Sequence, residues 1–98
     1  MFVASLRMDI LLPRARSLKD KRSALHPVLA ELTRRFPVSA AQVGHADLRG
    51  RALLGVAVTA AEARRCQEVL DGCERLVAAR PEIELLSAWR RLWDDEDE

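Results

Sequence analysis

Residues 2–12 alternate strictly, with Phe2, Ala4, Leu6, Met8 and Ile10 on one side and Val3, Ser5, Arg7 and Asp9 on the other. An apolar period of two over that length predicts a strand with one strongly apolar face. Pro13 ends it, because proline has no N–H to give to a ladder. The period then changes. Ser17 with Asp20 three residues later is an S-x-x-D helix opening. Leu18, Leu25, Val28, Leu29, Leu32 and Phe36 follow at helical spacing, predicting a helix to about Phe36, where Pro37 stops it. Pro27 falls inside that helix. It lacks the N–H that would reach the Ser23 carbonyl, at a cost of about 3 kcal/mol, yet the apolar stripe keeps its phase, so one kinked helix is expected.

The remaining segments repeat the theme. Val38–Val43 is a short apolar strand, GHADLRGR (44–51) is a loop with two glycines, and Ala52–Ala60 is a third strand rich in β-branched residues. An eight-residue connection joins these two strands as an antiparallel hairpin. A second helix is predicted from a cap at Thr59 or Ala60, with Glu62 favouring its positive end and Ala63, Cys66, Val69, Leu70, Cys73, Leu76 and Val77 on its apolar face. A last strand follows, in which Ile83, Leu85, Ser87 and Trp89 alternate with Glu84, Leu86, Ala88 and Arg90.

Strand, helix, strand, strand, helix, strand is the order of a split βαβ. The expected fold class is α+β: a ferredoxin-like sandwich with a four-stranded antiparallel sheet and both helices on one face. A 98-residue chain is one domain, here expected over 1–93 with an acidic, flexible tail at 94–98. The helix-free side of the sheet is assigned Val3, Ser5, Arg7, Ala40, Leu53, Gly55, Ala57 and Thr59. Such a face is too apolar to stand bare. A homodimer is therefore expected, with Val3, Ser5, Arg7, Leu53, Gly55 and Ala57 at its interface.

Several chemistries lack a local motif. No nucleophile is paired with a base, His26 and His45 lie on different elements, and neither metal-ligand spacing nor a phosphate loop occurs. Two cysteines cannot hold an iron–sulfur cluster. In a helix, Cys66 and Cys73 would have Cα atoms about 10 Å apart, beyond the ~7 Å reach of a disulfide. Both read as small core hydrophobes in a reducing compartment. The expectation is a non-catalytic protein with no cofactor and no metal. No apolar run approaches the ~20 residues of a membrane span, and MFVASLRMDILL has no signal-peptide character, so a cytoplasmic protein is expected.

Charge is what remains. Residues 1–51 hold ten Lys/Arg against four Asp/Glu, a net +6, whereas residues 52–98 hold six against eleven, a net −5 that the closing DDEDE accounts for. That asymmetry suggests a polyanionic partner. The candidate nucleic-acid-binding residues are Arg14 and Arg16 in the first crossover loop, Lys19, Lys21 and Arg22 on the first helix, and Arg49 and Arg51 in the hairpin loop. The sequence leaves open whether loop and helix start lie at the same end of the sheet. The first and third strands carry no aromatic for base stacking. Trp89 and Trp93 are expected as core or dimer contacts rather than stacking platforms.

The segment SLKDKR (Ser17–Arg22) resembles the most recognisable motif of the YlxP-like family, small bacterial proteins known as a domain of unknown function. FPVSAAQVGHADL (Phe36–Leu48), RALLGVAV (Arg51–Val58) and PEIELL (Pro81–Leu86) match the same pattern in order, so the likeness spans residues 1 to about 91. The resemblance implies a ferredoxin-like fold. Genes of that family tend to lie beside those of a translation initiation factor and ribosome-binding factor A. The resemblance therefore implies a role in ribosome maturation or translation, with ribosomal RNA or a pre-ribosomal particle as partner. It brings no catalytic residues. Gly44 departs from the family, which has an acidic residue before the position of His45.

Overall fold

The computed structural model describes residues 1–95. Its elements are β1 (Phe2–Leu11), α1 (Leu18–Arg35), β2 (Ser39–Gly44), β3 (Arg51–Ala60), α2 (Ala63–Ala78) and β4 (Glu84–Asp94). The strands form one antiparallel sheet in the order β2-β3-β1-β4. Both helices cover the side of the sheet that carries the even-numbered residues of β1. Leu6, Met8 and Ile10 are fully buried there, with Leu54 of β3, Val28 and Leu32 of α1, and Cys66, Cys73 and Val77 of α2. Each large aliphatic side chain taken from water contributes about 1.5–3 kcal/mol, so this single layer between helices and sheet carries the stability of the domain.

The helix ends follow from their local chemistry. Ser17 caps α1, its Oγ accepting from the Asp20 N–H at 3.0 Å, and the Asp20 carboxylate accepts from the Arg16 N–H at 2.9 Å. One orphan helix donor and the N–H of the residue before the cap are thereby satisfied, and an acid sits at the positive end of the helix dipole. Phe36 closes α1 and lays its ring against Gly72 of α2. A Cβ at Gly72 would come within 2.5 Å of Phe36 Cε1, so the glycine is the slot that admits the ring. Pro27 lies exposed inside one continuous helix.

Three expectations need correction. The cap of α2 is Glu62, without a side-chain hydrogen bond, because Thr59 still belongs to β3 and its Oγ1 donates to the Phe2 carbonyl at 2.9 Å. Ala40 lies opposite the buried Val56 and packs against the core, so Ala41 rather than Ala40 is on the open face.

The third concerns β4, whose alternation does not run unbroken. Ile10 pairs with Leu85 but Asp9 with Ser87, leaving Leu86 as an extra residue in a bulge. A bulge of one residue transfers everything beyond it to the opposite face. Ile83 and Leu85 thus point to the helices, while Ser87, Trp89, Arg91 and Trp93 point away. Arg90, next in sequence, confirms the phase: it reaches Asp71 at 2.8 Å and Glu74 at 3.1 Å, both on α2. Trp89 and Trp93 are accordingly not core residues, each being 45% exposed.

Strand β4 also runs past the expected boundary at residue 93. Asp94 closes the strand, the Asp95 N–H donates to the Met1 carbonyl, and its carboxylate pairs with the terminal ammonium at 2.9 Å. The remainder of the expected flexible tail, residues 96–98, lies outside the described residues. Among the described residues no helix is long and apolar enough to cross a membrane.

Candidate nucleic-acid interface

The hairpin loop and the start of α1 lie side by side, and one residue is responsible. Lys21 is 2% exposed. Its ammonium lies 2.8 Å from the carbonyl of His45, 3.3 Å from Ala46, 2.6 Å from Leu48 and 3.2 Å from Arg51. The β2–β3 loop is wrapped around this charge. Burial lowers the Lys21 pKa, and the carboxylate of Asp47 opposes the shift. The carbonyl dipoles supply the solvation that water would otherwise give. Lys21 therefore has no donor to spare for a phosphate and leaves the predicted binding set.

Arg51 leaves it as well. Its guanidinium grips Asp9 of β1 with two hydrogen bonds, Nε to Oδ1 at 3.1 Å and Nη2 to Oδ2 at 2.5 Å. His45 Nε2 lies 3.5 Å from the same carboxylate. The Arg51 hydrogen bonds hold the Asp9 carboxyl below its ordinary pKa, against the desolvation that would raise it. His45 itself takes a left-handed backbone conformation, with φ 58°. For a residue other than glycine this is an uncommon state, held here by the carbonyl bond to Lys21 and by the Leu48 N–H, which donates to the His45 carbonyl at 3.1 Å.

Of the other five predicted residues, Arg16 and Arg49 are brought into contact, Lys19 and Arg22 follow on the first turns of α1, and Arg14 lies on the flank of that helix that carries Asp20 and Ala24. The Leu12 N–H donates to the Gly50 carbonyl at 2.8 Å, closing the end of β1 onto the loop, and Arg49 Nη1 donates to the Arg16 carbonyl at 3.4 Å. Lys19 and Arg22, three apart on α1, share a helix face. Arg14, Arg16, Lys19, Arg22 and Arg49 are all exposed, and none has an ion-pair partner among the described residues. Acids are present nearby. Asp20 is engaged in the cap, Asp47 lies in the loop, and Glu82 joins Arg14 in lining a cavity of about 110 Å³ beside α1.

The open face of the sheet carries Val3, Ser5, Arg7 and Asp9 of β1, Leu53, Gly55, Ala57 and Thr59 of β3, and the four outward residues of β4. Val43, the extra residue of a second bulge, lies over Gly55, where a Cβ would be 2.8 Å from Val43 Cγ1. Every residue assigned to the dimer surface is on this face. Two features escaped the linear reading. The Asp9–Arg51–His45 cluster joins residues 42 positions apart, and only the β1–β3 register brings them together. The role of Lys21 had a signal, since Lys21, Leu25, Val28 and Leu32 follow the i, i+4, i+7, i+11 pattern of a buried stripe.

Among the described residues no group of three or more His, Cys, Asp or Glu is placed to hold a metal ion. Cys66 and Cys73 are buried and unpaired, and burial pushes the Cys73 thiol up to about 11 against the opposing charge of Arg90.

Comparison with curated proteins found no match. Among solved structures, the chain is similar to a de novo designed protein with a ferredoxin fold determined by solution NMR. The two share 14% identity over 97% of this chain and 88% of the designed one, with a TM-score of 0.55. That likeness concerns the fold alone and agrees with the strand order above. The model of a family described as protein of unknown function (DUF503) matches residues 3–90, and the chain belongs to that family.

Proposed function

We propose that this protein is a non-catalytic, cytoplasmic accessory factor of ribosome maturation or translation that binds RNA phosphates through its basic corner. The observation that carries the reading is the clamp at Lys21. It folds the hairpin loop onto the start of α1 and so brings Arg49 to Arg16, just before the helix start that carries Lys19 and Arg22 and just after Arg14, and none of these cations has an acidic partner among the described residues. A helix N-terminus disfavours cations by a few tenths of a kcal/mol each, and an incoming phosphate reverses the sign of that interaction. Contacts of this kind position a nucleic-acid backbone and read no sequence. The resemblance of SLKDKR and the three further segments to the YlxP-like pattern supports the ribosomal context.

The test is co-sedimentation with ribosomal subunits and their precursors at 50 and 200 mM salt. Neutralising about five phosphates predicts an affinity loss of roughly 10²–10³-fold between the two conditions. The variant is Arg14→Glu, Lys19→Glu, Arg22→Glu, which leaves Lys21 in place so that the loop stays folded. Loss of binding in this variant supports the reading. Unchanged binding, or none by the wild type at low salt, overturns it.

A further inference from the structure

We propose that the open face of the sheet is a platform for single-stranded RNA, with bases stacking on Trp89 and Trp93 and phosphates meeting Arg7 and Arg91. It takes the RNA reading above to a second surface and rests on its own observations. Trp89 and Trp93 are each 45% exposed. The guanidinium carbon of Arg7 lies 5.4 Å from the centre of the Trp89 ring, and that of Arg91 lies 5.3 Å from the centre of the Trp93 ring. The same pairing of ring and cation is what sequence-tolerant single-strand binding uses, the ring taking the base and the guanidinium the phosphate or a second base. The two tryptophans are four residues apart on β4, about 13 Å along a strand, a separation suited to different bases of an extended chain.

The charge on this face selects the occupant. Asp9 is already held by Arg51 and His45. Glu84 lies beyond the Leu86 bulge, opposite Leu11, and Asp95, past the other end, pairs with Met1. Arg7 and Arg91 have no carboxylate partner among the described residues. A second copy docked face to face about a two-fold axis would bring the same unneutralised cations into its interface, whereas a polyanion with planar bases complements both the charge and the rings. Beside Arg7 the sheet forms a shallow, largely apolar concavity of about 360 Å³, lined by Val43, Gly55 and Ala57 and edged by Ser5, Ser39 and Ala41, against which a base can lie. The direction is also continuous. Strand β1 passes Trp93 at Val3 and Trp89 at Arg7, then leads into the loop bearing Arg14 and Arg16, so the aromatic face ends where the basic corner begins.

The two tryptophans of the chain are both on this face, so intrinsic fluorescence reports on it directly. The full chain is titrated with a 12-nucleotide oligouridylate and with an RNA duplex of the same length, and affinity is measured separately by anisotropy of labelled oligouridylate. The expected result is strong quenching by the single strand and little by the duplex. Trp89→Leu and Trp93→Leu should each weaken oligouridylate binding about 5- to 100-fold with unchanged circular dichroism. Absence of quenching overturns the proposal. So does wild-type affinity in both tryptophan variants, or sedimentation as a dimer whose formation shifts tryptophan emission to the blue while RNA leaves it unaltered. The two readings fail separately. Loss of ribosomal binding in the corner variant without oligouridylate quenching removes only the sheet platform; quenching with unchanged co-sedimentation of the corner variant removes only the corner.

Discussion

Replacing Lys21 with methionine isolates the contribution of one buried charge. The ammonium has three N–H donors and four carbonyl acceptors between 2.6 and 3.3 Å. Hydrogen bonds from a charged donor contribute about 1.5–3 kcal/mol each, so three give roughly 5–9 kcal/mol. Burying the ammonium offsets several kcal/mol of that. Ala46 and Leu48 are exposed, so their carbonyls partly rehydrate when the charge is gone. Methionine keeps most of the apolar stem. The expected net loss is about 3 kcal/mol, the middle of the range left after both offsets. In a domain of this size that lowers the melting temperature by roughly 12–24 °C. The comparison is internal, because Lys19→Met and Arg22→Met replace exposed cations and should stay within about 0.5 kcal/mol of wild type. Urea unfolding followed by circular dichroism gives the three values, and hydrogen exchange should show the amides of residues 45–51 losing protection first in Lys21→Met. A cost below about 1 kcal/mol for Lys21→Met, or equal costs at all three positions, would refute the account of Lys21 as the loop's internal counter-charge.

Further expectations concern the cluster, the glycines and the thiols. Asp9→Asn should cost about 2 kcal/mol at neutral pH. Because the folded carboxyl titrates below its unfolded value of about 3.9, that difference should be complete above pH 5 and shrink as pH falls through the lower, folded value; urea midpoints at pH 7, 4 and 2.5 that differ equally would exclude it. Gly72→Ala should destabilise by about 1–2 kcal/mol despite its better helix propensity, since the new methyl meets the wedged Phe36 ring. Gly55→Ala should destabilise by about 1–2 kcal/mol, since the new methyl meets both Val43 methyl groups, at 2.8 and 3.1 Å, and rotation of that β-branched side chain does not clear them. At pH 8 a thiol reagent should modify Cys73 at least about 100-fold more slowly than a free thiol, with both cysteines reacting at once in urea. Rapid native labelling would place Cys73 outside the core.

The elements were legible because their periods are strong. The even residues of β1 and, apart from the exposed Leu18 in its first turn, the stripe of α1 pack on the core in the structure as in the sequence, and the topology followed from element order with the handedness of crossovers. Faces were legible only as far as alternation ran unbroken. Val3, Ser5 and Arg7 fall on the predicted side, but Ala40 does not, and neither does Trp89 when its alternation is counted from Ile83. Alternation counted from Ile83 goes out of phase at Leu86, where two leucines stand together as the visible trace of the bulge. The corner was half legible. The sequence identified the cations but not their geometry, which depends on a loop folding back over α1, and that folding is driven by Lys21, a residue first counted among the ligand-binding cations.

Lys21 also explains why the two surfaces should not be dissected with the same substitution. It accepts the loop at one end through His45 and Ala46 and at the other through Leu48 and Arg51. Arg49, which belongs to the corner, stands within the second anchor, between Leu48 and Arg51, and there Arg51 turns to Asp9 on the open face. Displacing the loop thus moves Arg49 and releases Asp9, leaving its carboxylate without Arg51, two residues from Arg7 on β1 and diagonal to Trp89. A Lys21 variant would lose RNA affinity at both places even if the lysine never approached a phosphate. The three cations at this helix start are not equivalent: Lys19 and Arg22 face solvent, whereas Lys21 is buried and holds the loop to the helix. Charge reversal at Arg14, Lys19 and Arg22 and leucine substitution at Trp89 and Trp93 each spare that clamp, so a loss of binding in either set reports on contact with RNA rather than on a loop that has come undone.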